Sequence, residues 1–302
     1  MKIFHLGLCV GEPPFDSMRK AFLNNCTEYR ELSTGAKNVN HEAMQIARAF
    51  RPDIIFMQIQ AANIISIQTV REFKRLGCWV CNWNGDIRHQ TPEWMVHMSR
   101  VVDKTLFTNM RDVKNVANGG YLEIGYDPEI YCPEGEKLPC REIAFFGNNY
   151  GAAMFPLSEL RIQMDAHLRS MFSRNYGTYG SNWMRGAGNL NHSQAEEAKA
   201  YRSVKIGINL SHFDEPMYSS DRILRIMGTG VFCLARRYPD IPFVDGEHLR
   251  TWSDLNELTA LIRHYISNTV EREQIASKGH QFVKENYTFD NMVKNLLKIY
   301  KS

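Results

Sequence analysis

The residues best suited to bind an anion lie between Asn209 and Arg225. An apolar run that ends at Asn209 predicts a strand, a polar loop follows, and Ser219, Ser220 and Asp221 precede apolar residues at helical spacing. Ser and Asp are preferred where helices begin. Four free backbone N–H groups, the positive end of the helix dipole and Arg222 would then face one loop. The pattern predicts a pocket for a phosphate or a diphosphate.

Two further side chains are candidates for catalysis. Asp86 follows an apolar run, where a carboxylate could orient a substrate or take a proton from it, or could instead close a turn or an internal salt bridge. His212 follows the strand that ends at Asn209 and could hydrogen-bond a substrate or steady developing charge, although many loop histidines have no such role. His5 and Glu12 flank the first loop and are weaker candidates.

The cysteines and histidines do not have the spacing of a metal or redox site. Cys78 and Cys81 form a C-x-x-C pair within a strand-like run, where residues three apart point to opposite faces of the sheet. A structural role is therefore favoured for both. There is no second pair to complete a zinc site and no H-E-x-x-H spacing, so we expect no bound metal.

Length and composition indicate two globular domains. The 302 residues include 44% hydrophobic and 23% charged residues, and the net charge of +3 gives no general attraction to nucleic acid. The seven cysteines are scattered through apolar segments, as is typical of reduced thiols. No stretch has the length of a membrane span or the form of a signal peptide, so we expect a cytoplasmic protein.

Alternating strands and helices predict an α/β fold of two Rossmann-like, doubly wound domains. Near-continuous apolar strands separated by helices are typical of parallel sheets covered on both faces. We expect a first domain at 1–132, a proline-containing linker at 133–140, and a second domain at 141–286 whose strands include Phe243–Val244. Residues 287–302 form an amphipathic helix. Ligands in such folds bind at the carboxyl ends of the strands, in a cleft between the domains.

Several segments carry a resemblance to a known family. They are Arg51–Asp53, Asn82–Arg88 and Leu122–Pro128 in the first domain, and Phe145–Asn148, Tyr179–Gly180, Lys205–Asn209, Ser220–Arg225 and Phe243–Glu247 in the second. In order and spacing they resemble the GT-B glycosyltransferases of the "glycosyl transferases group 1" kind, which include the CgeB-like proteins. The resemblance implies two domains that face a cleft and a C-terminal helix that crosses back to the first domain.

The resemblance also implies the ligands. A nucleotide-sugar donor would bind to the second domain, with its diphosphate near Gly147 and Arg222, its base beside Tyr179, and a covering loop that contains Val244 and Glu247. The candidate donor-binding residues are Gly147, Asn148, Tyr179, Gly180, Asn209, Ser219, Ser220, Asp221, Arg222, Arg225, Val244 and Glu247. We expect a UDP-sugar first and a GDP-sugar second, and no permanently bound cofactor. The acceptor would be a glycan, a small molecule or a nucleic acid.

The mechanism that the resemblance implies is sugar transfer to a hydroxyl group, without a metal. A retaining enzyme would use the departing diphosphate to take the acceptor proton, whereas an inverting enzyme would need a base, for which Asp86 is the candidate. Arg225 stands where these families usually have a glutamate that binds ribose. One alternative is therefore an inactive scaffold that binds a sugar nucleotide. A separate alternative is an enzyme that glycosylates modified nucleic-acid bases.

Overall fold

The computed structural model describes residues 1–8, 16–188 and 193–302, which form two compact units. Unit 1 comprises 1–125 and 289–302, and unit 2 comprises 126–288. Glu12 lies outside the described residues. Each unit contains one parallel sheet with helices, so the predicted α/β fold with two Rossmann-like units is confirmed.

Unit 1 is built on six parallel strands in the order β2-β1-β3-β4-β5-β6. The strands are β1 (Lys2–Gly7), β2 (Glu28–Ser33), β3 (Ile54–Met57), β4 (Trp79–Asn84), β5 (Lys104–Phe107) and β6 (Gly119–Tyr121). The helices between them are α1 (Asp16–Asn25), α2 (Val39–Phe50), α3 (Ile67–Arg75), α4 (Glu93–Ser99) and α5 (Met110–Lys114). All four residues of β3 are buried, because helices cover both faces of the sheet.

The last helix, α11 (Phe289–Lys301), also belongs to unit 1. It buries Met292, Val293 and Leu296, which share one face, in the core that also contains residues of α1. The Asn25 amide of α1 donates a hydrogen bond of 2.9 Å to Asp290. The apolar stripe that the sequence shows is therefore the packing face of this helix.

Unit 2 contains five parallel strands in the order β11-β10-β9-β7-β8. The strands are β7 (Ile143–Phe146), β8 (Tyr176–Tyr179), β9 (Ile206–Asn209), β10 (Phe232–Arg236) and β11 (Arg250–Trp252), and the helices are α6 (Ser158–Phe172), α7 (Gln194–Tyr201), α8 (Arg222–Gly228), α9 (Leu255–Ser267) and α10 (Thr269–Asn286). Because the chain runs from β7 to β8 on one side and returns through β9 on the other, the strand order reverses between β7 and β9. Crevices at such reversals are where open α/β sheets bind ligands.

The fifth strand of unit 2 is not the predicted one. Phe243 and Val244 lie outside every strand, and Arg250–Trp252 pairs with β10 instead. Trp252 is fully buried in the sheet core, whereas Val244 is 52% exposed and the Phe243 ring packs against Phe282 and Tyr287. The prediction of a strand at 243–244 was wrong because two apolar residues in a row do not distinguish a strand from a loop anchored by an aromatic ring.

The cysteines of the described residues are free thiols. Cys78 directly precedes β4 and Cys81 lies within it, and both are buried. Burial raises the pKa of Cys78 to about 11 and raises that of Cys81 further above its ordinary value. Both thiols are therefore protonated and unreactive at neutral pH.

Among the helices of the described residues, none combines the length and the hydropathy that crossing a membrane requires.

The buried His5 predicts that unit 1 loses stability in acid. His5 lies in β1 between the Tyr29 hydroxyl (2.9 Å) and Gln58 Oε1 (2.8 Å), and burial lowers its pKa from 6.5 to about 4 although Gln58 partly opposes the shift. As the pH falls, His5 takes up a proton in the unfolded chain before it does so in the folded one. The contribution of the neutral His5 to the free energy of unfolding is therefore complete above about pH 6.5 and is lost towards pH 4. The loss is up to ~3 kcal/mol.

Urea unfolding of unit 1 at pH 7 and at pH 4.5 measures this loss. His5→Gln should lose less stability between the two values than the wild type, because it has no group to protonate. The matched control is His41→Gln, on the exposed surface of α2, which should lose as much as the wild type. An acid loss that is equal in His5→Gln and the wild type would contradict the assignment to His5.

Candidate functional site

Seven of the predicted site residues come together at the carboxyl ends of β7, β8 and β9. Gly147 follows β7, Gly180 follows β8, and Asn209 is the last residue of β9. The N–H of Gly147 donates a hydrogen bond of 2.8 Å to the carbonyl of Tyr179, which continues the pairing of β7 and β8. The full set is Gly147, Asn148, Gly180, Asn209, Ser219, Ser220 and Arg222.

The loops after β7 and β8 pass each other at backbone distance. The φ of Gly180 is +148°, and a methyl group on its Cα would lie 2.4 Å from the carbonyl oxygen of Gly147. The amide oxygen of Asn148 accepts a hydrogen bond of 2.8 Å from the N–H of Ser181, and the Trp183 indole N–H donates one of 2.7 Å to the Gly147 carbonyl. These contacts require glycine at 180 and hold the backbone of both loops at the crevice.

Arg222 connects the loop after β9 to the end of β7. Its Nε donates to the carbonyl of Phe146, and its Nη1 lies 3.0 Å from the Ser220 hydroxyl and 3.3 Å from the Asn209 amide oxygen. Asn209 is buried and also binds Ser219, through its amide nitrogen at 3.2 Å. Arg222 is thereby fixed in position by groups that have no charge.

A second guanidinium, which the sequence analysis missed, lies beside Arg222. Arg161 in the first turns of α6 is 2% exposed and donates hydrogen bonds to the carbonyls of Asn148 (3.1 Å) and Leu210 (2.7 Å). The guanidinium carbons of Arg161 and Arg222 lie 5.1 and 4.8 Å from the centre of the same Phe145 ring. An arginine on a helix is usually solvated, so the sequence around Arg161 gave no signal for this position.

The two arginines share a pocket that lacks a compensating negative charge. In the chain as described, their hydrogen bonds end on carbonyl, amide or hydroxyl oxygens or on a histidine, and none ends on a carboxylate. Burial, and then the charge of Arg222, lower the pKa of Arg161 to about 8, so that it is still a cation at pH 7. A buried and a half-buried cation that bind no carboxylate of the described residues are suited to bind an anion.

His212 is a neutral partner of Arg161. Its Nε2 lies 2.6 Å from Nη1 of Arg161, and its Nδ1 lies 3.5 Å from the Ser158 hydroxyl. A guanidinium can only donate, so Nε2 of His212 must accept and the ring proton must be on Nδ1. Burial and the charges of Arg161 and Arg222 lower the pKa of His212 to about 3, which keeps the imidazole neutral at pH 7.

The start of α8 does not offer the four free N–H groups that the sequence analysis predicted. The N–H of Ser220 donates to the Ser211 hydroxyl (2.9 Å), that of Ile223 to the Ser220 carbonyl and that of Leu224 to the Asp221 carbonyl, both at 3.1 Å. The Asp221 side chain does not cap the helix and pairs with Arg225 instead. The positive charge of the site therefore comes from side chains more than from the end of this short helix.

Arg225 points to carboxylates and not to the two arginines. Its Nη1 lies 2.7 Å from Glu197 Oε2, its Nη2 binds Asp221 Oδ2, and its guanidinium carbon lies 5.5 Å from the centre of the Tyr131 ring. These partners lie on α7, at the start of α8 and in the segment that precedes β7. Arg225 is therefore neutralised within unit 2, unlike Arg161 and Arg222.

The remaining predicted residues are dispersed. The Tyr179 ring stacks on Phe146 and its hydroxyl accepts a hydrogen bond of 2.8 Å from the N–H of Arg141. Val244 is exposed, and the exposed Glu247 lies 3.8 Å from the Lys278 ammonium. Asp86 is exposed in unit 1, in the loop after β4. Their predicted roles stay predictions.

A comparison with protein families matches the second half of the chain. Residues 161–298 fit the family described as "Glycosyl transferase-like". This region contains Arg161, His212, Arg222 and the strands β8 to β11. The comparison with curated proteins found no match.

Solved structures match the whole chain. The Anabaena protein HepE, in complex with UDP-glucose, is 11% identical with a TM-score of 0.66, and the alignment covers 99% of this chain and 100% of that one. The fold is that of the GT-B glycosyltransferases. The sucrose-phosphate synthase of Thermosynechococcus elongatus is 10% identical with a TM-score of 0.64 and coverage of 100% and 98%. The lipopolysaccharide outer core galactosyltransferase WaaB is 11% identical with a TM-score of 0.61 and coverage of 98% and 99%.

The predicted GT-B fold is confirmed, and residues 161–298 match a family of glycosyl transferase-like proteins, as the resemblance implies. The narrower resemblance to CgeB-like proteins stays a prediction. In doubly wound sheets, ligands bind beside the point at which the strand order reverses, which in unit 2 lies between β7 and β9.

Proposed function

We propose that this GT-B protein transfers a sugar from a nucleoside diphosphate to a hydroxyl group of an acceptor, and that the diphosphate binds to Arg161 and Arg222. The observation that carries the proposal is the pair of guanidiniums near the Phe145 ring, neither of which binds a carboxylate of the described residues, at the carboxyl ends of β7 and β9. A diphosphate would supply the missing negative charge. Arginine is the side chain best matched to phosphate oxygens, because its donors form a planar fork.

The donor that we propose first is a UDP-sugar, with a GDP-sugar second. HepE was solved with UDP-glucose, and the fold that this chain shares with HepE supports this order. The backbone of Gly147 and Gly180 would approach the donor closely, because neither residue has a side chain. Val244 and Glu247 would lie in a loop that covers the donor, as the resemblance implies.

The chemistry that these side chains can supply is stabilisation of the leaving group. When the bond between the anomeric carbon and the diphosphate breaks, negative charge grows on the diphosphate, and two fixed cations stabilise it without having to reorganise. We propose on this basis that the reaction needs no metal. His212 would act by holding Arg161 in place, since its Nε2 is engaged and its imidazole is a weak base at pH 7.

The acceptor would bind to unit 1, with the acceptor proton passing to the departing diphosphate in a retaining reaction or to Asp86 in an inverting one. Asp86 is exposed at the carboxyl end of β4, where it could reach an acceptor hydroxyl. The acceptor is a glycan, a small molecule or a nucleic acid. A cytoplasmic location stays a prediction from the sequence.

Nucleotides should stabilise the protein in the order UDP, then UMP, then uridine. Because the diphosphate carries the charge that Arg161 and Arg222 lack, UDP at 100 times its dissociation constant should add about 2.7 kcal/mol. For a domain of this size, that corresponds to a rise in the melting midpoint of roughly 5–10 °C. Thermal unfolding with UDP, GDP, ADP and dTDP, each with and without EDTA, measures the preference for the base and the need for a metal.

The same samples then separate the alternatives. Turnover of the matching nucleotide-sugar, followed as release of the nucleoside diphosphate with a panel of glycan and small-molecule acceptors, would support the enzyme. Stabilisation by UDP without any turnover or hydrolysis would favour the inactive scaffold. If no nucleoside diphosphate stabilises the protein at millimolar concentration, the proposed diphosphate site is wrong.

A further inference from the structure

A cavity of about 470 Å³ lies in unit 2 beside the proposed diphosphate site. Of the described residues that line it, none is Arg161 or Arg222, so it is a separate space. One wall is a face of helix α6, and another is the segment at 183–185 that follows β8. The lining residues on α6 recur at helical spacing: Ile162, Asp165, Ala166, Arg169 and Ser170. Pockets for small-molecule ligands usually measure about 300–1,000 Å³, so this cavity has the size of a binding site.

The segment at 183–185 gives the cavity an apolar and aromatic side. The Trp183 side chain is partly buried, and the Met184 side chain is fully exposed to solvent. Ala166 adds apolar surface from α6. An indole offers a flat apolar face, and an unbranched thioether adapts its shape to a neighbouring group. Together these side chains can cover the apolar face of a ring-shaped ligand.

The other groups of the lining are polar and carry both signs of charge. Arg169 Nε donates to Asp165 at 2.9 Å, and the two side chains are 22% and 13% exposed. Arg185 is exposed, and Asn149 and Ser170 add an amide and a hydroxyl. The carboxylate disfavours a strong anion in the cavity, and the two guanidiniums disfavour a cation. The lining is therefore suited to a neutral ligand that both donates and accepts hydrogen bonds.

A carbohydrate is the ligand class that combines these properties. One face of a hexose ring presents C–H groups, which pack on an aromatic ring, and its hydroxyls donate to carboxylates and accept from guanidiniums and amides. A nucleobase would also pack on the indole, but it has no hydroxyls for the mixed polar lining. A cavity in the size range of pockets for small molecules accommodates one or two hexose rings.

Trp183 connects the cavity to the diphosphate site. Its indole N–H donates a hydrogen bond of 2.7 Å to the Gly147 carbonyl, and its ring meets the Phe145 ring edge-on, with the ring centres 6.2 Å apart. The Phe145 ring lies near both guanidiniums of the diphosphate site, and Gly147 approaches Arg222. A ligand that fixes the indole in the cavity would therefore also fix the backbone at Gly147, where the diphosphate would bind.

We propose that the cavity between α6 and the segment at 183–185 binds a neutral mono- or disaccharide, and that its occupancy changes the affinity for UDP through Trp183. Trp183 packs on the sugar and is the positioning residue for Gly147. Coupling between two sites is reciprocal, so UDP should change the affinity for the sugar by the same factor. Binding of the sugar does not depend on the proposed function, whereas the coupling rests on it, because it requires a diphosphate at Arg161 and Arg222.

Saturation-transfer NMR and calorimetric titration test the cavity with methyl α-glucoside, methyl β-galactoside, maltose and lactose. The wild type should bind at least one of these sugars and should not bind glycerol, which has hydroxyls but no ring. Ala166→Phe places a phenyl ring in the cavity from an exposed position of α6 and should weaken sugar binding at least about tenfold, with the affinity for UDP alone unchanged. The matched control is Gln163→Phe, at an exposed position of α6 outside the lining, which should bind the sugar as the wild type does.

Titration with UDP at a saturating concentration of the bound sugar measures the coupling. The affinity of the wild type for UDP should change by at least about fivefold. Trp183→Phe keeps an aromatic ring in the wall of the cavity and removes the indole N–H that holds the Gly147 carbonyl. This variant should still bind the sugar and should lose most of the effect of the sugar on UDP.

Each result decides a separate part of the proposal. Sugar binding that survives Ala166→Phe would place the sugar elsewhere in the protein and overturn the proposal, as would a wild type that binds none of the sugars. If Ala166→Phe does not fold, Arg185→Gln takes its place and should weaken the sugar about two- to tenfold, and an unchanged affinity would overturn the site. Sugar binding without any effect on UDP would mean that Trp183 does not couple the two sites. A protein that binds the sugar and never binds UDP would support the cavity and refute the proposed function.

Discussion

Arg222→Met should weaken the binding of UDP by about 10- to 150-fold, while the melting midpoint of the ligand-free protein should change by only a few degrees. The loss of affinity corresponds to ~1.5–3 kcal/mol, the usual contribution of a hydrogen bond to a charged group. Stability should change little because two effects oppose each other. The substitution removes hydrogen bonds to neutral oxygens, such as the Phe146 carbonyl, and also removes the repulsion between Arg222 and Arg161. Calorimetric titration with UDP and thermal unfolding without ligand measure the two quantities.

The matched control is Arg169→Met, which removes an arginine on α6 that already has a carboxylate partner. Arg169 pairs with Asp165 at 2.9 Å and packs over the Tyr176 ring. This variant should lose stability and keep its affinity for UDP, which is the opposite pattern. If Arg222→Met lost stability as Arg169→Met does and bound UDP as the wild type does, Arg222 would be a structural arginine and the diphosphate site would lie elsewhere.

The opposite behaviour of these arginines reflects a general property of binding sites. Arg169 and Arg225 are neutralised within unit 2, so they contribute to its structure. Arg161 and Arg222 are held by carbonyls, which fix their direction and leave their charge uncompensated. A pocket with an uncompensated positive charge makes the ligand-free protein less stable than it could otherwise be. A bound anion then provides the missing interaction. The free energy gained when an anion binds to these two arginines is therefore larger than the gain that a solvated arginine could give.

The fold could be predicted largely from the sequence because the alternation of buried strands and helices is local. The sequence signals of β9 and α8 lie within 29 residues, between Lys205 and Cys233, and the structure has both elements there. The last helix follows from its apolar stripe, and its observed bounds, Phe289–Lys301, lie within the predicted 287–302. The strand at 250–252 was missed because the pairing of Arg250–Trp252 with β10 depends on Trp252 entering a core made by distant elements.

The site could be predicted only in part, because its electrostatics depend on contacts between distant residues. Asn209, Ser220 and Arg222 are close in the chain and follow a recognisable pattern. Arg161 and Glu197 lie 61 and 25 residues before Arg222 on other helices, and nothing in their own segments separates them from solvated residues. Arg225 is one of the predicted donor-binding residues, and the structure pairs it with Glu197 and Asp221. Charge partners are set by helix packing, which local patterns do not contain.

Gly180→Ala should destabilise unit 2 by about 3 kcal/mol and weaken the binding of UDP. The strain of an alanine at a φ of +148° costs ~1–3 kcal/mol, and a methyl group 2.4 Å from the Gly147 carbonyl requires the loops after β7 and β8 to move apart. Gly147 would move with that carbonyl, and a methyl group at Gly147 itself would be 2.8 Å from Nη2 of Arg222. The same displacement should therefore reach the diphosphate site. Denaturant unfolding and UDP titration measure the two effects.

Gly151→Ala is the matched control, because it separates backbone strain from the close approach of the two loops. Gly151 also has a positive φ, +84°, but nothing lies within 4 Å of the position of an added methyl group. This variant should lose only about 1 kcal/mol and should bind UDP as the wild type does. Equal losses of stability in the two variants, with UDP binding unchanged in both, would mean that the contact between the loops does not shape the site. A larger loss in Gly180→Ala, with weaker UDP binding, would show that the separation of the ends of β7 and β8 sets the geometry in which Arg222 meets the diphosphate.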